Sequence, residues 1–160
     1  PHLGDTRDWR KTSIAARNSG YYPSTEAIAP LVKLLSHGVQ NVRTGAAQSL
    51  INMVQHKDAA YRGSVETTLL PELNATDLSW EQGVRVLGAL QNAANVELLT
   101  RILGRGNWRS QENGARAAIQ LVNANKLENK ALNEVLIRNA QSTILQVQEA
   151  SNDALRALAK

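Results

Sequence analysis

The chain has 160 residues, a formal net charge of +4, 42% hydrophobic and 20% charged residues, and no Phe or Cys. This length allows one domain with a substantial core, which must be mainly aliphatic because aromatic residues make up only 4% of the chain. The lack of Cys excludes disulfides and thiolate metal ligands. No long apolar run and no charged-then-apolar leader is present, so we predict neither a membrane span nor a signal peptide.

The first predicted element is a basic, weakly amphipathic helix over residues 5–19, which ends before Gly20, a residue favoured just past a helix end. A connector follows, because Pro23 disfavours the helical conformation of the residue before it. We expect residues 1–23 to form a cap and connector for the helices that follow. Since the sequence starts with Pro1 rather than Met, we also expect a processed protein or a domain excised from a longer one.

The first predicted helical pair covers residues 24–38 and 41–55. Ser24 is a candidate N-cap, and Gly38 ends the first helix. Apolar residues recur at spacings of three and four in both helices, as one buried helix face requires. Pro30 falls in or just after the first turn, or it kinks the helix there.

Three more helical pairs are predicted along the rest of the chain. The spacings of Ser79 with Gln82 and of Thr143 with Gln146 fit a capping box, which predicts helix starts at both hydroxyl residues. The Gly-Arg-Gly sequence at residues 104–106 is predicted to form a turn. The predicted helices cover residues 64–73 and 79–92, 95–103 and 110–123, and 128–139 and 143–159.

A short pattern, Leu-x-Asn, closes three of the predicted second helices. The asparagines are Asn52, Asn92 and Asn123, which are 40 and 31 residues apart. These spacings lie in the range of helical solenoid repeats, whose hairpins stack side by side to bury a continuous core. The recurrence therefore predicts an α-solenoid over residues 24–160, and such folds mostly use a long face to bind other macromolecules.

The sequence IAPLVKLLSHGVQNVRTGAAQSLINM at residues 28–53 resembles a HEAT or armadillo repeat, in which I-x-x-L-V-x-L-L-x-S precedes V-R-x-x-A-A-x-x-L-x-N-L. The resemblance covers residues 24–125 and extends more loosely to the end. It implies an all-α fold: a right-handed α-solenoid (α-α superhelix) of about four helical pairs with an N-terminal capping helix, in a single domain over residues 1–160. Proteins of this superfamily bind peptides, proteins or sometimes nucleic acids along the inner, concave face formed by each repeat's last helix.

In peptide-binding armadillo proteins, an asparagine near the end of the last helix hydrogen-bonds the backbone of an extended ligand. Asn52, Asn92 and Asn123 match that position, whereas the tryptophan one turn earlier in those proteins is absent here. A structural alternative is that these asparagines adopt the left-handed conformation and cap the helix ends. The predicted concave-face ligand-binding residues are Gln48, Asn52, Arg85, Asn92, Arg116 and Asn123.

A nucleic-acid patch is the competing hypothesis, supported by the net positive charge. Residues 1–62 carry eight Lys or Arg against four Asp or Glu, and the remaining residues carry ten of each. Arginine and indole groups can hold phosphate and stack on a base, which makes Arg101, Arg105, Trp108 and Arg109 the candidate contacts. The structural alternative is that Trp108 packs over the end of the core.

The sequence carries little that indicates catalysis. His2, His37 and His56 share no helix face with ligand spacing, and the acidic residues form no evident metal cluster, so neither a metal nor a cofactor is predicted. We therefore expect a non-enzymatic binding or scaffold module that recognises a protein or peptide. The alternatives are nucleic-acid binding and an accessory substrate-binding domain of a multidomain enzyme; compartment and oligomeric state have no sequence signal.

Overall fold

The computed structural model describes residues 8–126 and 128–159. Within these ranges the chain is all-α, with no strand, as the sequence predicts. Two short 3-10 turns, Asp77–Ser79 and Ala93–Asn95, precede the fifth and sixth helices. The described helices are α1 (Trp9–Asn18), α2 (Thr25–Leu34), α3 (Gln40–Val54), α4 (Ala59–Ala75), α5 (Trp80–Leu90), α6 (Val96–Arg105), α7 (Trp108–Asn125), α8 (Lys130–Asn139) and α9 (Leu145–Leu158).

The chain divides into two compact units, Pro1–Val86 and Leu87–Lys160, and the boundary falls within α5. We call them the N-terminal unit and the C-terminal unit. In the N-terminal unit α1 packs against α3, α2 packs against α3 and α4, and α3 packs against α4. The packed helices of this unit are thus one or two places apart along the chain.

Side-chain caps set the helix starts of the N-terminal unit. Ser24 Oγ accepts a hydrogen bond from the backbone N–H of Glu26 at 3.3 Å, so the predicted N-cap of α2 is confirmed. Asp58 caps α4 in the same way, through the N–H of Ala60 at 2.9 Å. Because this cap lies upstream of the predicted start, α4 begins at Ala59 rather than at residue 64.

Small residues bring α1 and α3 close together. A Cβ atom on Gly45 would lie 3.3 Å from the carbonyl oxygen of Ser13, which leaves little room for a larger residue. Ser49 Oγ donates to the backbone carbonyls of Ala16 and Arg17 across the same interface. The residues predicted for the N-terminal helix therefore do form one, from Trp9 to Asn18, while residues 5–7 of that prediction lie outside the described residues.

In the C-terminal unit α6 packs against α7 and α8, and α9 packs against α7 and α8. A buried side-chain hydrogen bond joins two of these helices, since Asn139 Nδ2 donates to the backbone carbonyl of Leu103 at 3.0 Å. Aliphatic side chains and alanines form the core, as the composition predicts. The fully buried residues of this unit include Ile102, Leu103, Ala115, Ala118, Leu121, Leu132, Leu136 and Val147.

The two predicted capping boxes are wrong. Before α5 the cap is Thr76, whose Oγ1 accepts from the N–H of Leu78 at 3.2 Å, and Ser79 Oγ donates back to the Thr76 carbonyl. Before α9 the hydroxyl used is that of Ser142, and the residue at the N-cap position, Ile144, makes no side-chain cap. In both places the cap is formed by a hydroxyl residue one to three positions before the predicted one. Residue spacing does not determine which of several nearby hydroxyl groups accepts the backbone hydrogen bond.

The predicted turn at residues 104–106 is displaced towards the C-terminus. Gly104 and Arg105 complete α6, and the chain turns at Gly106 and Asn107. Asn107 Oδ1 accepts from the N–H of Ser110 at 2.9 Å, so α7 begins at Trp108, two residues before the predicted start. The side-chain cap decides the start of the helix here as well.

Candidate functional site

In the N-terminal unit, Gln48 and Asn52 form an exposed amide pair on one face of α3. Gln48 is exposed and Asn52 is half-buried, and Gln48 Nε2 donates to Asn52 Oδ1 at 3.0 Å. A residue four positions further along a helix lies on the same face, which is why these side chains meet. Their remaining polar atoms, Gln48 Oε1 and Asn52 Nδ2, make no hydrogen bond within the described chain, so the pair retains one acceptor and one donor group for a ligand.

Arg85, on α5 in the same unit, belongs to a chain of polar contacts rather than to an open surface. Its Nη1 donates to Gln82 Oε1 at 2.7 Å, and Gln82 Nε2 in turn donates to Glu81 Oε1 at 3.3 Å. Gln82 and Glu81 are both buried, and Arg85 is half-buried. Hydrogen bonds to buried groups therefore fix the position of the Arg85 guanidinium.

Arg43 ends this chain of contacts and was not singled out in the sequence. Its Nη2 lies 3.3 Å from Glu81 Oε2, and the two side chains are only 16% and 10% exposed. Arg43 Nη1 also donates to the carbonyls of His37 and Gly38, which follow the end of α2. The Val-Arg sequence at residues 42–43 could have indicated this ion pair. An arginine next to a buried valine on a core helix is itself partly buried, and its charge then needs an acidic or hydrogen-bonding partner.

Asn92 occupies a different position from the other two asparagines. Asn52 and Asn123 lie inside α3 and α7, whereas Asn92 follows the end of α5 and caps the next turn, accepting from the N–H of Ala94 at 3.0 Å. Its carboxamide oxygen therefore contributes to local structure.

The left-handed conformation proposed as the structural alternative is not adopted by any of the three asparagines. Among the non-glycine residues that the structure describes, only Gln91 and Lys126 have positive φ, at 51° and 48°. The cap at the end of α7 involves a different asparagine: Asn125 Nδ2 donates to the carbonyls of Gln91 and Leu121, both at 2.9 Å. The structural alternative is therefore wrong as stated, because neighbouring residues form the left-handed turns.

In the C-terminal unit, α7 presents Arg116, Gln120 and Asn123 on its exposed side. Arg116 Nη2 lies 2.8 Å from Glu112 Oε1, so its charge is paired within the helix. Gln120 was missed in the sequence analysis, although the spacing of four from Arg116 places both on one face. The exposed side of α7 is thus amide-rich, with its arginine charge balanced by a carboxylate.

The predicted nucleic-acid residues separate into two places. Arg101 and Arg105 of α6 line a groove of about 520 Å³, together with Arg138 of α8, which the sequence analysis did not include. Trp108 and Arg109 lie at the start of α7 outside that lining, and the Arg109 guanidinium carbon lies 4.5 Å from the Trp108 ring centroid. One face of the indole is therefore covered by an arginine rather than open to a base.

The histidines that the structure describes have local roles. His37 Nδ1 accepts from the N–H of Val39 at 3.0 Å, and His56 Nδ1 accepts from the N–H of Asp58 at 3.1 Å; His2 lies outside the described residues. No group of three potential metal-ligating side chains occurs among residues 8–126 and 128–159. Over the same residues, every helix is too short or too polar to cross a membrane.

Comparison with known proteins finds no family model that matches the chain and no match among curated proteins. The resemblance of residues 28–53 to a HEAT or armadillo repeat therefore stays a prediction. The described residues include exposed amides on α3 and α7 and guanidinium groups on α6 and α8, which can bind a ligand through hydrogen bonds and charge.

Proposed function

We propose that this chain is a non-enzymatic binding module of the helical-repeat type that recognises an extended segment of a protein or peptide. The order in which helices pack supports the repeat assignment. In the C-terminal unit α6 packs on α8 and α7 on α9, and in the N-terminal unit α1 packs on α3 and α2 on α4. Packing between alternate helices is typical of hairpins that stack side by side.

The observation that carries the proposal is the amide character of the exposed faces of α3 and α7. Gln48 and Asn52 in the N-terminal unit, and Gln120 and Asn123 in the C-terminal unit, are not part of the core. Each carboxamide offers both donor and acceptor atoms, which matches the alternating N–H and C=O groups of an extended peptide backbone. Recognition of a backbone in this way is largely independent of the ligand's side chains.

The two arginines predicted for the binding face favour a peptide over a nucleic acid, because both already have partners within the protein. Arg116 is paired with Glu112 at 2.8 Å, and Arg85 donates to Gln82 at 2.7 Å. A polyphosphate gains affinity chiefly from cations that release its counterions, so cations already engaged within the protein contribute less. A neutral ligand with many hydrogen-bonding groups suits these faces better.

The direct test uses random-peptide display on the full chain, followed by calorimetric titration of a selected peptide against single variants. We expect Asn52→Ala to weaken about fivefold the binding of peptides that contact the N-terminal unit, and Asn123→Ala to do the same for peptides that contact the C-terminal unit, because each removes one or two hydrogen bonds to the ligand. Asn133→Ala is the matched control, since Asn133 is an exposed asparagine on α8, outside the amide faces, and its replacement should leave the affinity unchanged.

Two results would contradict the proposal. Equal affinity of the wild type and both amide variants would mean that the asparagines have no role in binding. A preference for single-stranded oligonucleotides over every selected peptide, with affinity falling about a thousandfold between about 50 and 200 mM salt, would instead indicate a nucleic-acid binder.

A further inference from the structure

A groove of about 520 Å³ lies between α6 and α8 in the C-terminal unit, and its charges are separated along the two helices. Near its C-terminal end each helix contributes an arginine, Arg105 from α6 and Arg138 from α8. These ends lie side by side, because a Cβ atom on Gly104 would lie only 3.3 Å from Arg138 Nη2. The glutamates of the lining come earlier in each helix: Glu97 is eight residues before Arg105, and Glu134 is four residues before Arg138. The groove therefore has a basic end and an acidic end.

The charged groups at both ends of the groove are available to a ligand. Arg105, Arg138 and Glu97 are exposed, and none of their side chains forms an ion pair or hydrogen bond with a described residue. Glu134 pairs with Lys130 at 3.8 Å, but the two side chains are 66% and 91% exposed. An exposed pair of this kind contributes little, so Glu134 can pair with a cationic ligand group instead.

We propose that this groove binds an extended peptide segment that carries one acidic and one basic side chain about four residues apart. On α6 the glutamate and the arginine are about 12 Å apart along the axis, because a helix rises about 1.5 Å per residue. An extended peptide rises about 3.3 Å per residue and places alternate side chains on one face. Charges four residues apart in such a peptide therefore lie about 13 Å apart on the same face.

Each charged side chain of the peptide has a matching end of the groove. The acidic side chain lies at the basic end, where its carboxylate accepts charge-assisted hydrogen bonds from Arg105 and Arg138. The basic side chain lies at the acidic end, beside Glu97 and Glu134. This site is on α6 and α8 rather than on the amide faces of α3 and α7, so it does not rest on the proposed function.

The order of charges in the groove disfavours ligands with a single sign of charge. A nucleic-acid strand or a polyacidic segment that follows the groove from its basic end reaches Glu97 and Glu134, where like charges repel. A polybasic segment meets the same repulsion from Arg105 and Arg138. Arg101, between the two ends on α6, already has a partner within the protein, and the proposal assigns it no contact with the ligand.

Helix dipoles account for only part of this arrangement. Acidic residues are favoured in the first turn of a helix and basic residues in the last, which explains Glu97, Arg105 and Arg138 individually. Helix dipoles do not explain Glu134, because the first turn of α8 contains no acidic residue. They also do not explain why both helices place their charged residues along one groove.

The experiment measures the binding of four blocked peptides and a single-stranded oligonucleotide to the full chain, at neutral pH and low, constant ionic strength. In a background of serine and threonine, the first peptide carries a glutamate and a lysine four positions apart, and the second carries the same two residues side by side. The third and fourth peptides carry two glutamates or two lysines four positions apart. We expect the first peptide to bind about tenfold more tightly than each of the others, because only it forms ion pairs at both ends. NMR shifts of the Nε–H signals of Arg105 and Arg138 locate the binding in the groove.

Charge-reversal variants should change which peptide binds best, a result that loss of folding cannot produce. The double variant Arg105→Glu and Arg138→Glu makes both ends acidic, so we expect it to bind the two-lysine peptide about fivefold more tightly than the first peptide. The double variant Glu97→Lys and Glu134→Lys makes both ends basic, and it should prefer the two-glutamate peptide by a similar factor.

The matched control is the double variant Arg109→Glu and Arg156→Glu. It has the same change in net charge as the acidic groove variant, and both residues are exposed arginines of the same unit outside the groove. We expect the control to keep the wild-type order of affinities.

The proposal fails if the first peptide does not bind, or if it binds no more tightly than the peptide with adjacent charges. It also fails if the groove variants keep the wild-type order of affinities, or if the control changes that order as they do. Tighter binding of the oligonucleotide than of every peptide, with shifts of the same arginine signals, would assign the groove to a nucleic-acid surface and overturn the proposal.

Discussion

The N-terminal and C-terminal units use the same residue types for different purposes. In the N-terminal unit Arg43 is largely buried, pairs with Glu81 and donates to two backbone carbonyls. In the C-terminal unit Arg105 and Arg138 are exposed beside an open groove and have no described acidic partner. A charged side chain that the fold satisfies serves packing, whereas one left unsatisfied at a concave surface is available to a ligand.

Serine shows the same contrast inside the two cores. Ser49 of α3 is fully buried and donates to carbonyls of α1, while Ser151 of α9 is fully buried with an Oγ that makes no hydrogen bond within the described chain. The N-terminal unit thus contains a specific polar contact between helices where the C-terminal unit tolerates an unsatisfied hydroxyl. Three pairs of substitutions, each with one residue in either unit, test how the two units differ.

The largest effect is expected at the buried ion pair. Arg43→Met removes the Arg43 guanidinium from Glu81, whose side chain is only 10% exposed, and we expect it to lower the free energy of unfolding by about 3 kcal/mol. Arg138→Met, at an exposed position of the C-terminal unit, should change it by less than about 0.5 kcal/mol. Urea denaturation of the full chain measures both, and equal effects would remove the distinction between structural and available arginines.

A smaller effect is expected where α5 ends against α7. A Cβ atom on Gly88 would lie 2.7 Å from Ala117 Cβ and 2.8 Å from Ala117 Cα, so Gly88→Ala should destabilise the protein by about 2 kcal/mol. Gly38→Ala is the control, because no heavy atom beyond residues 37–39 lies within 4 Å of the added methyl group, and it should be neutral or stabilise by about 0.5 kcal/mol. A tolerated Gly88→Ala would show that these helices can move apart at little cost.

The smallest effects are expected at the buried serines, and they should have opposite signs. Ser49→Ala removes a donor to the carbonyls of Ala16 and Arg17 and should destabilise by about 1 kcal/mol. Ser151→Ala removes a hydroxyl that is buried without a partner, so it should stabilise by about 1 kcal/mol. Thermal unfolding followed by circular dichroism compares the two variants, and a loss of stability in Ser151→Ala would contradict this account.

The helices of the fold could largely be predicted from the sequence, because each depends on the local spacing of its apolar residues. The pair formed by α2 and α3 follows from apolar residues at helical spacing and from Ser24 as a cap. α5 and α9 begin at Trp80 and Leu145, within two residues of the predicted starts, but the hydroxyl groups that cap the preceding turns are those of Thr76 and Ser142 rather than the predicted ones. A hydrogen bond to one of several nearby hydroxyls depends on how the preceding loop packs.

The residues of the candidate site could be predicted only in part from the sequence. Gln48 and Asn52 were predicted and form a pair, because residues four apart on a helix must share a face. Asn92 was grouped with them by sequence register, yet it caps the turn after α5. Arg138 was missed because it comes 33 residues after Arg105, and only the packing of α8 on α6 brings them to one groove.

The sequence by itself determined that the chain forms helices with aliphatic faces, because helical periodicity, caps and breakers act over a few residues. Tertiary structure decided which polar groups form hydrogen bonds and ion pairs within the protein and which remain accessible to a ligand. Nothing local in the sequence distinguishes Arg43 from Arg138. Arg43 is buried in an ion pair with Glu81 and stabilises the fold, whereas Arg138 lines the groove and is accessible. That difference arises from packing between helices distant in sequence, which determines the solvation and the partners of every charge.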